Sequence, residues 1–277
     1  MDILRYTAFP KTKQGGNKAG VVPDAKGLDE SSMQAIAAEV GYSETAFVLP
    51  SDDADFHVRF FTPTAEVDLC GHATIATFNA MRDLKMIAPG MYTQETRAGI
   101  LRLDVRDDVV FMEQNRPVFY ETLDPVDLQG CFAEPDVIDP SYPIQVVSTG
   151  MKEIFVPIRS VDVLEHLTPD FDAIRALSEA HGTIGMHVFA LADDCDAYGR
   201  NFAPVVGIDE ESATGTSNGA LACYLNRYGT SKTTYVLRQG YAMGQPSEIV
   251  VTLAQKDGHL HAVWVGGGAR LLAVDEQ

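Results

Sequence analysis

The chain has 277 residues, 45% of them hydrophobic, and its 21 Lys and Arg against 39 Asp and Glu give a net charge of −18. That is enough apolar material for one large domain or two lobes with real cores, and too much for a disordered chain. The negative field disfavours nucleic acid and membrane surfaces, so a small anionic substrate would have to be held by local dipoles.

In chain order, Val21-Val22-Pro23 reads as a strand end. Met33, Ile36, Ala37 and Val40 share one face of a helix that runs from an Asp29 cap to Gly41. Ala46–Leu49 is a buried strand, and Arg59-Phe60-Phe61 leads into a turn at Pro63. A helix from Gly71 to about Leu84 is small and apolar almost all round, which predicts burial. Strand-rich sequence follows over Leu101–Met112, and a junction falls near Gln114–Pro117. Then come a strand end at Phe155-Val156-Pro157 and a helix opening at Thr168-Pro169, carrying Ile174 and Leu177, and closing at Gly182. A strand over Val188–Leu191, the Arg200-Asn201-Phe202 run and a second buried helix from Gly215 to about Tyr228 complete the pattern. Strands follow at Thr234–Leu237, Ile249–Leu253 and Leu260–Val265, and Leu271–Val274 is expected to cross back to the first lobe.

The two halves repeat. Gly41, Asp55, Arg59, Phe61 and Pro63 recur as Gly182, Asp196, Arg200, Phe202 and Pro204, all 141 positions on, and after three extra residues Gly71 is matched by Gly215. The chain is therefore expected to be an α+β protein with a pseudo-twofold internal repeat, each lobe a mostly antiparallel sheet wrapped around one central helix. Residues 1–116, completed by 266–277, form the first lobe and 117–265 the second, with an active site in the cleft between them. Residues matched in both halves, such as Arg59 and Arg200, read as architecture.

Departures from the repeat are the functional candidates. Glu44 enters an apolar strand where the second half has Gly185. A carboxylate there is either a solvated turn residue or a buried acid whose pKa is raised towards the working range for proton transfer. Cys70-Gly71-His72-Ala73 and Thr214-Gly215-Thr216-Ser217 open the two buried helices, where free N–H groups and the helix dipole attract a carboxylate. Glu210 and Glu211 lie at the insertion before Gly215, as a solvated acidic loop or as a second carboxylate opposite Glu44. The remaining histidines show no metal-ligand spacing, and Cys70, Cys131, Cys195 and Cys223 form no C-x-x-C pair, so neither a metal nor a disulfide is expected. Residues 1–6 lack the apolar core of a secretion signal and no run approaches membrane length, which makes a cytoplasmic location the expectation.

Gly16-Asn17, Ser43-Glu44-Thr45-Ala46-Phe47-Val48, Phe61-Thr62-Pro63, Cys70-Gly71-His72-Ala73-Thr74 and Glu211-Ser212-Ala213-Thr214-Gly215-Thr216 together resemble the PhzF-like family of phenazine biosynthesis, in order over nearly the whole chain. The resemblance implies a diaminopimelate-epimerase-like fold, a homodimer, no cofactor, and a proton-shift isomerisation in which Glu44 moves the proton and His72 lines the site. It places Glu211 where the family has aspartate and Thr216 where it has serine. The helix-start N–H groups make Gly71, Ala73, Gly215, Thr216 and Ser217 the expected substrate-binding positions. Racemases of the same superfold place a cysteine before each helix glycine. Here Cys70 holds the first such place and Thr214 the second, so two-base racemisation is not expected. A one-base epimerase or dehydratase using Cys70, and a non-catalytic binding protein on the same scaffold, are the alternatives.

Overall fold

The computed structural model describes residues 2–256 and 259–276; residues 1 and 277, expected in the first lobe, lie outside these. The chain divides into two compact units, Met1–Glu113 with Gly266–Gln277, and Gln114–Val265.

The first unit runs β1 (Asp2–Ala8), β2 (Asn17–Val22), α1 (Glu30–Val40), β3 (Glu44–Leu49), β4 (Phe56–Phe61), β5 (Glu66–Val67), α2 (Gly71–Asp83), β6 (Gly90–Thr96), β7 (Gly99–Val105) and β8 (Val110–Gln114). Most neighbours are antiparallel, but β2 pairs with β3, and β4 with β6, in parallel. A parallel pair needs a crossover, and α1 and α2 supply one each. Asp29 caps α1 by accepting from the Ser32 N–H, and Gly41 ends it in the left-handed region at φ 68°. Helix α2 is buried without a break from His72 to Met81. Such a helix is stable only if its polar side chains find partners. Thr74, Thr77 and Asn79 bond back to the carbonyls of Cys70, Ala73 and Ile75, at 2.8, 2.7 and 2.8 Å.

The second unit contains β9 (Val118–Leu123), β10 (Ile144–Ser148), β11 (Lys152–Pro157), α3 (Val161–His166), α4 (Phe171–Ala180), β12 (Met186–Leu191), β13 (Ala197–Ala203), β14 (Ile208–Glu211), α5 (Gly215–Tyr228), β15 (Thr234–Gln239), β16 (Ser247–Lys256) and β17 (His259–Gly267). Its parallel pairs are β11 with β12 and β13 with β15, crossed by α4 and α5. The last strand, β18 (Ala269–Glu276), pairs antiparallel with β1 and so belongs to the first unit. Among the described residues no helix is long and apolar enough to cross a membrane.

The repeat extends to individual hydrogen bonds. Arg59 forks onto Glu66 with both contacts at 2.7 Å, and Arg200 onto Glu210 with both at 2.9 Å. Each guanidinium also lies over a ring two residues on, Phe61 at 5.1 Å and Phe202 at 5.0 Å. Asp55 accepts from the Thr93 N–H at 2.7 Å and Asp196 from the Val236 N–H at 2.8 Å, each fastening the parallel strand beyond the buried helix. Glu210 is therefore a framework residue rather than a free carboxylate.

One boundary differs from expectation. Helix α4 starts at Phe171, capped by Asp170, which accepts from the N–H groups of Asp172 and Ala173. Asp170, a stronger acceptor two residues beyond Thr168, the expected cap, sets the start. Gly41→Ala and Gly182→Ala should each cost about 1 kcal/mol in urea denaturation, because alanine resists the left-handed region even though no neighbouring side chain crowds the site.

Candidate active site

Helix α1 ends at Gly41, and a two-residue turn delivers Glu44 to the first position of β3, opposite Ala19 of β2. Cys70 precedes α2 in an extended conformation, at the N-cap position of the helix. His72, in that turn, is 4% exposed. Its Nε2 lies 3.2 Å from Glu44 Oε2 and 3.4 Å from Ser43 Oγ. Its Nδ1 lies 3.2 Å from Asn17 Nδ2 and 3.4 Å from Cys70 Sγ. A neutral ring protonated on Nε2 faces Glu44 and accepts from Asn17; protonating Nδ1 as well requires the Asn17 amide to turn its oxygen to the ring.

The charge state differs from the sequence expectation. Burial pulls the Glu44 pKa up, but hydrogen bonding and charge from His72, helped by Ser43 and Cys70, outweigh it and hold the carboxyl below its usual range. Burial opposes charge on His72 too, yet Cys70 and Glu44 hold the imidazole well above its usual value. Burial and the Glu44 charge push the Cys70 thiol up to about 11. A thiol at that value is uncharged at neutral pH, so Glu44 sustains the imidazolium there. The expected raised-pKa acid is thus an ionised carboxylate beside a buried cation. Glu44 Oε2 is itself buried and meets His72 Nε2 as an ion pair at 3.2 Å.

The second unit holds a different cluster. At the place equivalent to Glu44, a Cβ on Gly185 would lie 1.8 Å from the Phe202 carbonyl oxygen, so no side chain fits. The buried acid sits instead on the neighbouring strand: Glu153 of β11, 2% exposed, accepts from Asn201 Nδ2 at 2.6 Å. Asn201 Nδ2 also reaches Ser217 Oγ at 3.1 Å and His187 Nδ1 at 3.3 Å. Burial raises the Glu153 pKa to about 7 against the hydrogen bonds of Ser217 and Asn201, and Glu211 adds to the rise. Burial lowers His187 to about 3, so its ring is neutral. Glu211 accepts from Thr214 Oγ1 at 2.5 Å, and Thr214 precedes Gly215 at the start of α5. Gln239 bonds the Glu211 carbonyl, Thr214 and Asn218, and Thr149 bonds the carbonyl of Thr216 at 3.0 Å. Gly71 and Ala73 flank His72, while Gly215, Thr216 and Ser217 form the first turn of α5.

With this geometry in view, a family model for phenazine biosynthesis-like proteins matches residues 6–274. The chain belongs to the PhzC-PhzF family. It is 37% identical to an uncharacterized isomerase of Clostridium acetobutylicum, over 90% of this chain and 89% of that one. It is 30% identical to the trans-2,3-dihydro-3-hydroxyanthranilate isomerase of Pseudomonas fluorescens, over 94% and 93%. A PhzF-family crystal structure from Bacillus anthracis superposes with a TM-score of 0.91 at 30% identity, covering 99% of this chain and 98% of that one. The protein is a PhzF-type isomerase with the α+β fold of that family.

In this PhzF-type chain, Glu44, Cys70 and His72 also bring three donor atoms within 4.8 Å of one another, the one such group among the described residues. Ligation needs a thiolate and a neutral imidazole, whereas here the thiol is held neutral and the imidazole charged. Sequence reasoning missed Asn17 and Ser43 as partners of His72, and the whole Glu153–Asn201–His187 group. Its one visible signal was a lone acid opening the apolar run Ile154-Phe155-Val156.

Proposed function

We propose that this isomerase shifts a proton within a small carboxylate substrate, without a cofactor, and that Glu44 carries the proton. The observation that supports this best is the buried Glu44 carboxylate paired with the His72 ring at 3.2 Å. Glu44 Oε2 takes a proton from an acidic C–H, the electron pair moves into the adjoining π system, the Glu44 carboxyl exchanges its proton with solvent, and a proton returns from it at the far carbon. Substrate and product therefore have the same atoms. His72 stabilises the ionised form of Glu44 before the first transfer and after the second, and Ser43 and Asn17 hold the ring. The first turns of α2, at Gly71, His72 and Ala73, and of α5, at Gly215, Thr216 and Ser217, bind the anionic groups of the substrate through backbone N–H donors. Glu211 orients the start of α5 through Thr214. The similarity to the Pseudomonas fluorescens enzyme supports a substrate related to dihydro-3-hydroxyanthranilate.

A Cys70-based epimerase or dehydratase is the second reading, favoured by the place of the thiol before α2. Its thiol, at about 11, is a poor base at neutral pH. The test is deuterium incorporation in D2O into dihydro-3-hydroxyanthranilate and a panel of small amino and hydroxy acids, read by mass spectrometry. Exchange should survive Cys70→Ala within about threefold, since a neutral thiol contributes no general base. Loss of exchange in Cys70→Ala with Glu44→Gln active would replace this mechanism by the cysteine one. Ligand binding without exchange in wild type would leave only a binding role.

A further inference from the structure

The second unit contains a buried acid that the mechanism above does not use. Glu153 projects from β11 into a fully enclosed polar group built from three elements. Asn201 of β13 carries two amide hydrogens and has three acceptors within reach: Glu153 Oε1 at 2.6 Å, Ser217 Oγ at 3.1 Å and His187 Nδ1 at 3.3 Å. Glu153, His187, Asn201 and Ser217 are 2%, 0%, 1% and 2% exposed. Gly199 is what admits the His187 ring, since a Cβ there would lie 2.7 Å from Nε2. Ser217 belongs to the first turn of α5, the turn to which the proposed function assigns a substrate carboxylate.

A buried carboxyl normally needs a cation if it is to stay ionised. None faces Glu153. The neighbouring strand β10 presents Val147 opposite it, β13 presents Asn201 and α5 presents Ser217. The titratable groups turned to it are His187 of β12, neutral through burial, and Glu211 of β14, whose negative charge opposes ionisation. Arg200, next to Asn201 in β13, is committed to Glu210 and to the carbonyls of Leu164 and Leu167.

We propose that Glu153 is a positioning residue for the isomerase, acting through Asn201 and Ser217 on the first turn of α5. As a neutral acid it completes the network and leaves the positive end of the helix to the substrate carboxylate. Once ionised, it draws Asn201 and Ser217 to itself and sets a negative charge at the same helix end. Anion binding by this turn is therefore strong below the Glu153 pKa of about 7 and weakens above it. The part of this that concerns the substrate rests on the proposed function; the coupling of Glu153 to α5 does not.

The experiment is amide NMR of the full chain from pH 5.5 to 8.5, with anthranilate affinity measured by calorimetry over the same range. In wild type the Thr216 and Ser217 amide resonances should move together with a midpoint near 7. In Glu153→Gln, which keeps the acceptor and removes the titration, they should stay still. Anthranilate should bind about 30-fold more weakly to wild type at pH 8.5 than at pH 5.5, and to Glu153→Gln within about twofold at both. Glu44→Gln should leave the amide titration unchanged. A titration that persists in Glu153→Gln, or that is absent from wild type, overturns the coupling. If the amides titrate as expected but anthranilate binds at neither pH, the coupling stands and the carboxylate-binding assignment of α5 falls.

Discussion

Glu44→Gln should lower substrate deuterium exchange by about 1,000-fold, in the middle of the range for loss of a general base, while ligand affinity changes by about threefold or less. Glutamine keeps the size of the side chain and can still contact His72, so the site stays formed. What disappears is the lone pair of a charged oxygen. The same substitution has a stability signature. Glu44, with its pKa depressed, contributes stability that is present above the usual carboxyl value of 4.5 and lost as pH falls through the folded value. His72, with its pKa raised, contributes below its usual value of 6.5 and loses it as pH rises through the folded value. Both contributions are complete between those two values. The melting temperature difference between wild type and Glu44→Gln should therefore be largest near pH 5–6. Near-normal exchange in the variant would remove Glu44 from the chemistry. A difference independent of pH would remove the ion pair.

Gly185→Ala should be the most destabilising single methyl group in the second unit, costing more than about 4 kcal/mol. The added carbon would sit 1.8 Å from the Phe202 oxygen and 2.8 Å from the Ala203 Cα. Both belong to the backbone of β13, the partner strand of β12, so relief requires moving a strand rather than turning a rotamer. Urea denaturation checks this, with Gly182→Ala as the control that shares the segment but meets nothing. A cost near that of Gly182→Ala would show that the strand has room, and that a carboxylate could have stood where Glu44 stands in the first unit.

The architecture was legible because it is written twice. Five residues at a constant offset located the repeat, and the glycines ending the first helix of each half and opening the second bounded the elements. Glu44 and His72 were legible as breaks in that repeat. The missing part of the site is long-range. Asn17 and His72 are 55 positions apart, and Glu153 and Asn201 are 48 apart. Strand register brings each pair together, and residue type alone does not reveal register. The charge state of Glu44 was misjudged for the same reason. Burial was inferred from the apolar strand, but the buried cation that reverses its effect comes from a helix start 28 residues later. The expected start of α4 failed locally, where Asp170 is a stronger cap than Thr168.

The pairing of β18 with β1 has a consequence for biosynthesis. The second unit is one continuous stretch, Gln114–Val265, whereas the first is closed by residues 266–277, made more than 150 residues after Glu113. A chain that stops at Val265 therefore holds the material for a complete second unit while β1 lacks one of its two neighbours. Such a truncated chain should show protease resistance in its later half and not in its earlier one. In that truncated chain holdase chaperones would find their target in the half that carries Glu44, and restoring residues 266–277 would end that dependence.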